Sequence, residues 1–130
     1  MGFAELELVP EAGRVDLPGV EAHLRALPHA FVDPHDPRCW FLCADGASRA
    51  RALEARAADP TRRPYALLCL LEAERLWLVG EFADGAELAV GRRLVAWLLA
   101  GGAWRARDAA YSGPWRGPLS FFAGGAQGAP

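Results

Sequence analysis

Period-two alternation opens the chain. Ala4, Leu6 and Leu8 are apolar and Glu5 and Glu7 are charged, which predicts a strand over residues 3–9 with one buried and one wetted face. Residues 10–13 turn the chain. Asp16 is a fitting N-cap for a helix over 17–27 whose Pro18 sits in the first turn. Leu17, Val20, Leu24 and Leu27 form its apolar stripe, and Pro28 stops it. The run Asp-Pro-His-Asp-Pro at 33–37 has the chemistry of a loop. A short strand at 40–43 and a second helix at 47–58 follow. That helix is poor in large apolar residues, with Ala50, Leu53 and Ala57 on its apolar side.

Residues 65–71 are apolar throughout, as a strand covered on both faces requires. Glu72-Ala73-Glu74-Arg75 is a tight polar connection to a strand at 76–82, so the two form a hairpin. Asp84 and Glu87 have the spacing of a capping box. They open a helix over 85–100 with Leu88, Gly91, Leu94, Val95 and Leu98 on one face and Gly101-Gly102 as its stop. A last strand at 104–110 sets Trp104 and Ala106 against Arg105 and Arg107.

Beyond residue 112 glycine and proline argue against regular structure. Trp115, Leu119, Phe121 and Phe122 suggest packing against the body, and 124–130 is expected to be a disordered Gly-rich tail. Residues 1–123 then make a single α+β domain. The order β-α-β-α-β-β-α-β ends in βαββαβ, so the expected fold is ferredoxin-like, preceded by an extra βα unit. It would have one layer of mixed sheet with the helices mainly on one face.

Composition changes this picture little. All fourteen basic residues are arginine, and Lys, Ile and Asn are absent. GC-rich codons explain that bias, which points to a bacterial source and makes arginine content poor support for phosphate binding. The net charge of −2 also argues against a nucleic-acid partner. The longest apolar run, 94–100, falls well short of the roughly 18 residues that span a bilayer. With no secretion signal, Cys39, Cys43 and Cys69 read as reduced, packed thiols of a cytoplasmic protein.

Candidate chemistry is sparse. His29, Asp33, His35, Asp36, Cys39 and Cys43 include metal-ligand types, but no spacing matches a zinc site, and no metal or cofactor is expected. Three serines and one threonine offer no Gly-x-Ser-x-Gly, and no phosphate loop exists. Arg49, Arg51, Arg56, Arg62 and Arg63 read as a solvated helix face. Five tryptophans stand out, because Trp suits contact surfaces.

Alternation places Glu5, Glu7, Trp77, Glu81, Arg105 and Arg107 on a helix-free sheet face, mixed charge around an aromatic anchor. The leading expectation is a non-enzymatic protein-binding module, homodimeric or partner-binding, of an inhibitor or immunity type. The alternative is a small enzyme or ligand carrier that uses the His29–Cys43 region.

Overall fold

The computed structural model describes residues 3–11, 13–59, 61, 67–81, 85–101 and 104–112. In chain order they form β1 (Phe3–Pro10), α1 (Leu17–Ala26), β2 (Ala30–Asp33), β3 (Asp36–Leu42), α2 (Gly46–Ala58), β4 (Leu67–Leu71), β5 (Leu76–Glu81), α3 (Gly85–Ala100) and β6 (Trp104–Ser112). The six strands make one sheet in the order β2-β3-β4-β5-β1-β6. Every neighbouring pair is antiparallel. No described helix is long and apolar enough to cross a membrane.

Local signals act where the sequence places them. Asp16 caps α1 by accepting a hydrogen bond from Gly19 N at 3.2 Å. A side chain at Gly19 would collide with that carboxylate. Asp45 caps α2 through Ser48 N at 2.7 Å. Gly13 takes a φ of 78° in the β1–α1 turn, where glycine alone is unstrained. The proposed capping residue Asp84, the 82–84 and 62–66 connections and the whole segment 113–130, with its packing and tail expectations, lie outside the described residues.

Two expectations are corrected. The sheet is antiparallel, not mixed, and its strand order is not the ferredoxin-like one, in which the first strand would lie between the third and the fourth of βαββαβ. The sequence reading also passes over β2. It returns through Pro34 and His35 into β3, with Phe31 opposite Phe41 and Val32 opposite Trp40. That hairpin makes β2 the sheet edge beside β3. At the other end β1 inserts between β5 and β6.

Two of the three helices, α1 and α3, share one face, and α2 lies on the other. Cys39, Trp40, Phe41 and Leu42 are all buried, so both faces of β3 need cover. Trp40 and Leu42 join a core with Leu6, Leu8, Leu76 and Leu78, closed by Val20 and Leu24 of α1 and Leu94, Val95 and Leu98 of α3. Cys39 and Phe41 face the other way and pack with Phe31, Cys43, Leu68 and Ala52 of α2. On the outside of the first layer, Trp97 is 42% exposed and stacks on His23 at 3.7 Å between ring centroids. Burial holds the His23 pKa below its ordinary value.

Candidate functional site

The α2 side of the sheet is built from cross-strand rows. One runs Phe41, Leu68, Val79 and Glu5 across β3, β4, β5 and β1. The next runs Cys39, Leu70, Trp77 and Glu7 and continues to Arg107 on β6. Side chains in register share a face, so each row passes from apolar to charged as it leaves α2. Ala52 and Leu53 of α2 cover the β2–β3–β4 end, and Leu70 and Val79 are half-buried at the border. No described helix covers the β5–β1–β6 end.

Glu7 organises that end. It is only 5% exposed, and its carboxylate accepts hydrogen bonds from Arg75 Nη1 and Arg107 Nε, each at 2.8 Å. Arg107 Nη2 reaches the same oxygen as Arg107 Nε. Arg75 also bridges to Glu72 at 3.3 Å, and its guanidinium lies over the Trp77 ring at 5.4 Å. The Trp77 indole donates to Glu72 at 2.7 Å. Fixed donors make this buried charge tolerable.

The hydrogen bond from Arg75 holds the Glu7 carboxyl below the ordinary glutamate range; burial opposes it and Arg107 reinforces it. A depressed folded-state pKa contributes stability above the unfolded pKa, and that contribution is lost as pH falls through the folded one. Melting temperature should therefore fall less steeply below about pH 4.3 in Glu7→Gln than in the parent, while Glu7→Gln melts lower at pH 7. Parallel acid limbs in the two proteins would refute this role.

A pocket of about 270 Å³ adjoins this cluster where the α2 cover ends. Phe41, Leu68, Leu70, Val79 and Trp77 give it apolar walls, and Glu5, Asp33, Asp36 and Arg56 are its charged lining. Asp33 is 3% exposed and accepts from Arg56 Nε at 2.9 Å and from His35 N at 2.9 Å. Burial pushes the Asp33 pKa up, but the Arg56 and His35 donors outweigh it and hold the carboxyl below its usual value. Asp36 bonds Arg38 N at 3.0 Å.

Five of the six sequence-predicted face residues are therefore near neighbours by register. Glu7 and Arg107 pair directly, Trp77 lies opposite Glu7, Glu5 lies opposite Val79, and exposed Arg105 lies opposite Val9. Glu81 holds the register position opposite Phe3 at the end of β5. Sequence reasoning missed Arg75 and Glu72, which it read only as a polar turn. Their signal was opposite charge in a four-residue connection beside a tryptophan.

The His29–Cys43 group is divided. Asp33, His35 and Arg56 form one cluster, in which His35 Nε2 lies 3.1 Å from the Arg56 carbonyl. His29 and Cys43 line a separate cleft of about 210 Å³ with Val90 and Arg93. No three metal-ligating side chains converge among the described residues. Cys69 is fully buried, which pushes its thiol up to about 12, so it stays protonated at neutral pH. The arginines of α2 are partly structural, since Arg49 lies over the Phe31 ring at 5.6 Å as well as Arg56 binding Asp33.

No protein-family model, no curated protein and no solved structure matches this chain.

Proposed function

We infer that the chain is a non-enzymatic protein-binding module that docks another polypeptide on the β5–β1–β6 end of the α2 face. The observation that carries this reading is the partial cover of the face. A tryptophan held by Glu72 and Arg75 forms one wall of a pocket with apolar and charged lining, on the side toward the edge strand that carries Arg105 and Arg107. A fixed aromatic beside a pocket, ringed by charge, is the composition of a contact centre. In this reading the role is a bacterial, cytoplasmic one of an inhibitor or immunity type, with a partner protein or a second copy as the occupant. Neither nucleic acid nor membrane suits a chain of net charge −2.

Arg107 is a poor residue for the test, because reversing its charge would set two carboxylates together beside buried Glu7. Arg105 is exposed and leaves that pair intact. Native mass spectrometry of protein purified from its host should show a complex with a second polypeptide. The Trp77→Ala, Arg105→Glu double variant should be monomeric with the parent's circular dichroism spectrum. A variant that keeps its partner, or a parent that is itself monomeric in its host, overturns the reading.

A further inference from the structure

The two cross-strand rows end differently. The row through Trp77 and Glu7 continues to Arg107, whose guanidinium neutralises Glu7. The row through Val79 and Glu5 ends on β6 at Ala110, which carries no charge. The Glu5 carboxylate has no ion pair or hydrogen bond among the described residues, although it is half-buried and lines the 270 Å³ pocket. The other two acids of that pocket are already answered, Asp33 by Arg56 and Asp36 by Arg38. One carboxylate in a pocket of mixed apolar and charged lining is thus without a partner among the described residues, to be matched from outside.

We propose that this pocket takes the side chain of an arginine or lysine from the docked protein, its aliphatic stem along Leu68, Leu70 and Val79 and its charged head on Glu5. The proposal rests on the protein-binding reading and names the anchor that the partner contributes. Long basic side chains lay their methylenes on apolar surface and carry the charge to its edge, which is the shape this pocket offers. The incoming cation completes the row at Glu5 as Arg107 completes it at Glu7. A charge-assisted bond at a site shielded by Val79 and Trp77 is stronger than one in open solvent. An anionic side chain would meet Glu5 unpaired, so the pocket also excludes acidic anchors.

The test uses butylguanidinium as the probe and butylurea as its uncharged counterpart, each titrated into the full chain while backbone amide NMR shifts are followed. Butylguanidinium should shift the amides of Glu5, Phe41, Leu68 and Val79 saturably, with a dissociation constant on the order of millimolar for so few atoms. Glu5→Gln should weaken it about tenfold or more. Leu70→Trp, which fills the pocket and keeps Glu5, should abolish the response in a protein whose spectrum stays dispersed. An equal response to butylurea, unchanged binding in Glu5→Gln, or no saturable shift overturns the proposal. If butylguanidinium fails while the Trp77→Ala, Arg105→Glu variant still loses its partner, the anchor is wrong and the docking face stands. If the probe binds and that variant keeps its partner, the docking face is wrong and the cation site stands as a pocket of its own.

Discussion

Replacing Arg56 with alanine is expected to destabilise the protein by about 3–5 kcal/mol, the cost of leaving a buried charge without its partner. Asp33 is almost wholly enclosed, and both Nε and Nη2 of Arg56 reach its Oδ2 atom, at 2.9 and 2.8 Å. With the guanidinium removed, the carboxylate keeps, among the described residues, the His35 N–H alone. It would then stay charged at a large desolvation cost or take up a proton. Removing both charges together, as Asp33→Asn with Arg56→Met, should recover most of the loss, because the desolvation cost disappears with the pair. Urea unfolding followed by circular dichroism reads both changes. An Arg56→Ala loss below about 1 kcal/mol, the scale of an exposed pair, would mean that water reaches Asp33 and that this pocket wall is not rigid.

Phe41→Ala should cost a similar amount, about 3–5 kcal/mol, and lower the melting temperature by roughly 10–15 °C for a chain of this size. Phe41 is 1% exposed. It stacks against Phe31 at 5.2 Å and joins the α2 layer to the pocket wall. Truncating it removes the surface on which α2 is seated and opens the pocket into the layer behind it. Trp97→Ala is the control: a larger ring is lost, but from a half-solvated stack on His23, and the cost should stay under about 1 kcal/mol. Scanning calorimetry on the two variants decides the point. Equal losses would mean that the α2 layer contributes no more than the outer surface does.

Where the local pattern was strong, the sequence was a good guide. The alternation around Leu6 and Leu8, the apolar run before Glu72 and the stripe through Leu94, Val95 and Leu98 each became the element they spell. Ala30–Asp33 did not announce itself, because a four-residue strand gives alternation too little length and the Asp-Pro beside it reads as plain loop. Sheet order was illegible for a different reason. Nothing local in residues 3–10 states that their neighbours are β5 and β6; pairing is decided by which surfaces remain free once the rest has packed.

The same limit applied to the candidate site. Parity set Glu7 and Arg107 on one face, opposite Leu6 and Leu8, but the wetting expected there holds for Arg107 and not for buried Glu7. The alliance of Glu7 with Arg75 and Arg107, and the uncharged match of Glu5 on β6, depend on how β1 registers with β5 and β6, a property of strands together. The second layer over Phe41 was foreseeable in principle, since Cys39 to Leu42 are apolar on both sides and cannot lie against helices on one face alone.

The place of β1 in the sheet also has a consequence in time. It is the earliest of the six strands to be synthesised, yet its hydrogen-bonding neighbours are the fifth and sixth, and Glu7 waits a hundred residues for Arg107. Loops that long close slowly, so this part of the sheet assembles late. Until then the apolar side of β1 and the free edge of β5 stand open together, and each is a template for the same strands of another nascent chain. Translation rate and chaperone supply should therefore govern the yield of this protein more than its final stability does, and an exchange of β1 between two copies is the misassembly to look for.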